Sequence, residues 1–148
     1  MRILIQKSLN SSVSVDGKVI GEITKGFVIL VGVTHADTLE DVTYCARKIR
    51  QMRLFEDEAG KMNLDLEAVK GQILSISQFT LHANTKKGNR PSFIEAARPE
   101  QAEELYHALN RQLEESGLTV ATGEFGAMMQ VNILNDGPVT ILLDSKNR

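Results

Sequence analysis

The sequence predicts one α+β domain with a mostly antiparallel sheet, and three observations carry that expectation. Short segments rich in Val, Ile and Thr, bounded by turn residues, occur at both ends of the chain. Two longer segments repeat apolar residues at helical spacing. No repeat, low-complexity tract or linker divides the 148 residues, so residues 1–148 are expected to form a single domain.

The elements follow in order. Ile3-Leu4-Ile5 opens a strand, and Ser11 to Val15 and Lys18 to Ile23 flank Asp16-Gly17 as a hairpin would. Phe27 to Val31 is apolar on both faces, the pattern of a central buried strand. Asp37 and Thr38 are candidate N-caps for a helix whose stripe is Leu39, Val42, Cys45, Ala46, Ile49 and Met52. Glu56 to Lys61 reads as a polar loop, Ile73 to Leu81 as a strand, and Ala83 to Ser92 as an irregular basic loop. Pro99 suits the first turn of a second helix, with a stripe of Ala102, Leu105, Leu109 and Leu113 and a stop at Gly117. Thr119 to Thr122, Met128 to Leu134 and Val139 to Leu143 read as closing strands, the last two joined around Asp136-Gly137.

Composition bounds the function. A hydrophobic content of 42% fills a core, and a net charge of −2 gives no global field for nucleic acid, so any RNA contact must be local. One cysteine, Cys45, excludes an intramolecular disulfide, and its place on the helical stripe favours an inert core thiol. The longest apolar run is short of the ~20 residues of a membrane helix, and Lys7 interrupts any secretory core. A cytoplasmic protein with no membrane or DNA partner is expected. His35 and His107 lie in no ligand spacing, so no metal is expected, and no phosphate-binding glycine loop suggests a cofactor.

Two motifs could carry chemistry. If Ser77-Gln78-Phe79-Thr80-Leu81 continues as a strand, Gln78, Thr80 and His82 share one face, which reads either as a small polar site or as a solvated edge. Asn135-Asp136-Gly137-Pro138 reads as an ordinary loop or as a rigid corner, because Pro138 stands between a turn glycine and an apolar run. Lys86, Lys87 and Arg90 are the one cluster of loop cations beside the first motif.

Together the two motifs resemble the signature of the D-aminoacyl-tRNA deacylase family. Lys61-Met62-Asn63-Leu64, the Lys87 to Phe93 segment and Phe125-Gly126-Ala127-Met128-Met129-Gln130-Val131 match in the same order, so the resemblance spans essentially the whole chain. It implies that family's fold, with a barrel-like core and two main helices. It also implies a homodimeric editing hydrolase acting on the 3′ acceptor end of D-aminoacyl-tRNA, and on glycyl-tRNA, without a cofactor. Carried over by motif, the resemblance implies that the N–H groups of Phe79 and Thr80 bind an oxyanion and that either the Thr80 hydroxyl is the nucleophile or the ribose 2′-hydroxyl assists the water, with Ser77, Gln78 and Thr80 positioning substrate. Phe125 and Met129 contact the terminal base, and Lys86, Lys87 and Arg90 meet phosphates. Gly137 and Pro138, joined by a cis bond, enter the partner's pocket and exclude L-amino acids. The chain departs from the family at Lys7, where arginine is common; lysine keeps the charge and loses the planar fork of donors.

Overall fold

The computed structural model describes residues 1–148. Its strands are β1 (Arg2–Ser8), β2 (Ser11–Val15), β3 (Lys18–Ile23), β4 (Gly26–Gly32), β5 (Phe55–Glu56), β6 (Met62–Leu64), β7 (Gln72–Ser77), β8 (Thr119–Thr122), β9 (Gln130–Asn132) and β10 (Asn135–Asp144). Helix α1 (Leu39–Gln51) precedes β5 and α2 (Pro99–Glu115) precedes β8, while a 3-10 turn, Phe79–His82, follows β7.

Strand β4 lies at the centre because neither of its faces can meet water. In the five-stranded sheet, ordered β10-β1-β4-β7-β8, it pairs antiparallel with β1 and parallel with β7. Phe27, Ile29 and Val31 point to one side, where with Ile3, Ile5 and Ile73 they pack under α1 and α2. Val28 points to the other, where Val13, Ile23, Leu74 and Ile76 form a second core beneath a three-stranded sheet, β3-β2-β9. Each such buried side chain is worth about 1.5–3 kcal/mol, so the two-sided strand anchors both layers. The fold is the expected single α+β domain with two helices, and its main sheet is mixed: β4, β7 and β8 run parallel, the other ladders antiparallel.

Local chemistry sets the element ends. Asp16 and Gly17 both adopt the left-handed conformation that a two-residue hairpin turn requires. Thr38 is the N-cap of α1: its hydroxyl accepts from Glu40 N, and Asp41 closes a capping box. Asp37 is not the cap; its carboxylate accepts from Thr34 N and pairs with the buried Met1 ammonium. Asp41 is also buried, and although burial raises its carboxyl, hydrogen bonds from Lys146 and Ser145 outweigh that and hold it well below the usual range. Leu39, counted in the apolar stripe, is exposed, because the helix enters the core only at Val42.

Three segments differ from expectation. The strand read from Ile73 to Leu81 stops at Ser77. Gln78 N still donates to Val31 O, but the chain then curls over Gly32, where a Cβ would lie 3.0 Å from both Gln78 O and Leu81 Cβ. Gln78, Thr80 and His82 therefore do not share a strand face. Next, β9 and β10 are not a hairpin: β9 pairs with β2 and β10 with β1. Their apolar residues serve different cores, Val131 the second and Val139, Ile141 and Leu143 the first. Finally, the Glu56 to Lys61 loop is the tip of the β5–β6 hairpin, whose strands are too short to show alternation.

His82 is buried with its Nε2 unpartnered, and burial pushes its imidazole below the ordinary value of 6.5. The unfolded chain thus takes up this proton first, so stability present above that value is lost as pH falls through it. Urea midpoints for the native sequence should drop between about pH 7 and about pH 5, and His82→Gln should flatten that drop.

Candidate active site

A cavity of about 620 Å³ opens where β4 and β7 end. Val31, Val33 and Ile76 reach it from the strands, Ala97, Pro99, Ala102 and Tyr106 from α2 and its approach, and Phe125, Met129 and Val131 from the segment leading into β9. Fourteen of its eighteen lining residues are hydrophobic, and the polar ones, Ser77 and Gln78, stand at the mouth. Such a site takes a flat apolar body in depth and a polar group at its rim. Tyr106 was not singled out from the sequence, yet it forms a wall. Its hydroxyl donates to Ser75 O at 2.8 Å, and its ring lies 6.0 Å from that of Phe125. The legible signal was a tyrosine beside an apolar stripe, whose hydroxyl needs a partner once buried.

The mouth is shaped by the 3-10 turn Phe79–His82. Phe79 and Thr80 open this turn, so their N–H groups have no partner inside it, and no side chain caps them. The Phe79 ring is exposed and meets Phe93 edge-on at 5.1 Å. Thr80 does not line the cavity; its hydroxyl donates to Oε1 of Gln78, which does, at 2.8 Å. No imidazole or carboxylate accepts from that hydroxyl. His82, two residues on, is buried behind the turn against Gly32.

The other candidates fall in three places. Phe125 and Met129 line the cavity. Lys86, Lys87 and Arg90 do not; they are exposed, without salt bridges, on a loop closed by the Asn84–Ser92 bridge, and Phe93 follows that loop into the cavity wall. Gly137 and Pro138 are remote from this chain's own cavity. Asn135 pairs with Ser8, and Ser8 with Gly26, at the end of the β1–β4 ladder opposite Val31. Five strand residues, roughly 17 Å, separate the two ends. No His, Cys, Asp or Glu cluster is arranged to hold a metal ion.

The Gly137–Pro138 bond is cis, and the residues around it are tightly held. Asn135 Nδ2 donates to Lys7 O and Val139 O, both at 3.0 Å, while Asn135 Oδ1 accepts from Gln6 and Thr140. Lys7 is buried, with Nζ 2.8 Å from Glu56 and 3.4 Å from Asp136. Burial opposes its charge, but the two carboxylates outweigh that and raise the ammonium above its ordinary value. A single cation thus links the β5–β6 hairpin to the start of β10, by point-charge contacts.

Comparison with known proteins gives a consistent picture. The family model described as D-Tyr-tRNA(Tyr) deacylase matches residues 4–144. A D-aminoacyl-tRNA deacylase of Bacillus thuringiensis (strain Al Hakam) is 53% identical over 146 residues, covering 99% of this chain and all of that protein. One from Geobacillus sp. (strain WCH70) is 51% identical over 148 residues, covering 100% of this chain and 97% of that one. Among solved structures, a c-Myc DNA unwinding element binding protein superposes with a TM-score of 0.91 at 40% identity, covering 97% of this chain and 98% of that one. A probable eukaryotic D-amino acid tRNA deacylase, at 16% identity, shares the fold with a TM-score of 0.81, covering 96% and 97% of the two chains.

The four hydrogen bonds of Asn135 give the corner a measurable contribution. Asn135→Ala should lower stability by about 1–2 kcal/mol in urea denaturation, since it strands the Lys7 and Val139 carbonyls, whereas a corner held by other contacts would leave the midpoint unchanged.

Proposed function

The chain belongs to the D-aminoacyl-tRNA deacylase family, and on that premise we propose that it hydrolyses the ester joining a D-amino acid to the terminal ribose of tRNA. The observation that carries this reading is an apolar cavity lined in part by Phe79, which opens a turn whose first two N–H groups, those of Phe79 and Thr80, have no partner inside it. The terminal adenine goes against Phe125 and Met129, since an unstacked base is held well by apolar and aromatic walls. The ester then lies at the rim beside Ser77, Gln78 and Thr80. Lys86, Lys87 and Arg90, free of carboxylates, meet the phosphates of the acceptor end.

Water adds to the ester carbonyl, the Phe79 and Thr80 N–H groups hold the oxyanion, and collapse releases the ribose 3′-oxygen with the proton that the water gave up. Each such donor is typically worth a few kcal/mol. Threonine as nucleophile would need a base to take its proton. The Thr80 hydroxyl donates to the neutral amide oxygen of Gln78 and His82 lies buried behind the turn, which supports a reaction in which the neighbouring ribose 2′-hydroxyl assists the water.

Selectivity comes from Gly137 and Pro138 acting in trans. Their distance from this chain's own cavity supports a donor in a second copy, and so a homodimer. An apolar patch is available for it: Leu4 and Leu142 pair directly on the neighbouring strands β1 and β10, and Leu142 is 58% exposed. The main-chain carbonyls of that corner leave room for a hydrogen on the substrate's α-carbon but not for an L side chain, so the filter works by exclusion and glycyl-tRNA passes it. The enzyme acts in the cytoplasm, where tRNA is charged.

Purified protein should deacylate D-tyrosyl-tRNA and leave matched L-tyrosyl-tRNA intact; equal cleavage of both would point to an editing domain for L-amino acids, and binding without turnover to a non-catalytic tRNA-binding module. Thr80→Ala should retain substantial turnover, while a substrate ending in 2′-deoxyadenosine should be cleaved very slowly. A folded Thr80→Ala protein that binds tRNA but is inactive would reinstate the threonine nucleophile.

A further inference from the structure

The Phe79 and Thr80 N–H groups belong to a four-residue turn, and a turn that short has little rigidity of its own. Its N–H groups point one way and its carbonyls the other, so whatever fixes the carbonyls also fixes the donors. On the cavity side the turn is tied by Gln78 N donating to Val31 O at 2.7 Å. On the opposite side a guanidinium reaches it: Arg2 Nη1 donates to Leu81 O at 3.1 Å. The same guanidinium is itself anchored, with Arg2 Nε donating to Asp144 Oδ2 at 3.1 Å.

These contacts follow from register. Arg2 lies on β1 directly between Gly32 of β4 and Asp144 of β10. Gly32 is the residue over which the turn folds, with room for Leu81 and His82 only because it has no side chain. The arginine therefore stands beside the strand position that supports the turn, and its planar fork gives one donor to the turn and another to the sheet edge. Lysine could supply a single point contact. Asp144 is held as a carboxylate: burial raises it, but Lys146 N and Arg2 outweigh that and keep it below its ordinary range.

We propose that Arg2 is a positioning residue for deacylation, bracing the Phe79–His82 turn through Leu81 O while Asp144 holds the guanidinium in place. The inference rests on the reading that Phe79 and Thr80 donate to the oxyanion. Arg2 does not touch the reacting atoms; it keeps the two donors aimed at the position where negative charge develops. Loss of the brace changes the aim more than the pocket, because no residue lining the cavity is bonded to Arg2.

The test compares the native sequence with Arg2→Met, Arg2→Lys and Asp144→Asn under steady-state and single-turnover conditions on D-tyrosyl-tRNA, with thermal melts of each. Arg2→Met keeps most of the aliphatic stem, and the side chain is partly exposed, so the variant should fold. Its kcat should fall roughly tenfold, the scale expected for a small misplacement of catalytic groups, with KM within about twofold. Arg2→Lys should recover part of the loss, and Asp144→Asn, which keeps an acceptor without the charge, should lose less than Arg2→Met. An unchanged kcat in Arg2→Met overturns the proposal. So does a fall in kcat that merely tracks loss of folded protein and that Arg2→Lys does not relieve. Should the native sequence itself fail to release D-tyrosine, the functional reading has failed rather than this one.

Discussion

The close pass of the chain over Gly32 is the constraint on which the rest of the site depends. Strand β7 runs parallel to β4 as far as Ser77, and if it continued, Gln78 to His82 would project past the sheet edge. Instead Gln78 N bonds to Val31 O and the chain drops onto the one β4 position with no side chain. An added Cβ would meet main chain and the Leu81 side chain at 3.0 Å, contacts that a packed structure relieves only by moving the turn. Because the turn stays down, Gln78 and Phe79 line one side of the cavity between β4, β7 and α2. The pocket is thus a consequence of how one parallel strand ends.

Burial of charge follows the same geometry at both ends of the β1–β4 ladder. At the end near the cavity, the Met1 ammonium, Asp37, Asp41 and Lys146 form a paired cluster with Ser145. At the other, Lys7 is buried between Glu56 and Asp136. An isolated ion in such places would cost several kcal/mol, so each is present only with its partners. The two clusters fix the ends of β1 and β10, and hence the distance between the cavity and the Gly137–Pro138 corner. At roughly seventeen ångströms from its own pocket, that corner can serve the proposed filter only by reaching the cavity of another copy.

Much of this was legible in the sequence, for identifiable reasons. The two-sided apolar run at Phe27 to Val31, the Asp16-Gly17 hairpin and the stripes of both helices are periodic signals that packing had no reason to override. The turn at Phe79–His82 was not legible, because its cause lies at Gly32, some fifty residues away, and Phe79-Thr80-Leu81 has the composition of a strand. The parting of β9 from β10 was hidden for a similar reason. Both are apolar, and which core each serves depends on partners, Val13 for one and α1 and α2 for the other. Of the site residues, Phe125 and Met129 reach the cavity, Ser77 and Gln78 its mouth and Thr80 only Gln78, while the contribution of Tyr106 depended on Ser75 accepting its hydroxyl.

An apolar cavity with no base at its mouth restricts the chemistry that the protein alone can supply. Main-chain donors stabilise an oxyanion but move no proton, and the Thr80 hydroxyl gives its proton to an amide. A reaction at this mouth therefore needs a proton acceptor from elsewhere, and the ribose that carries the ester has one on the adjacent carbon. In the proposed reaction the RNA would thus take part in its own hydrolysis, and the protein would contribute aim and exclusion. A DNA-ended substrate could still fill the cavity, since the walls that hold the base make no demand on the sugar. What it would lack is the group that the protein does not replace.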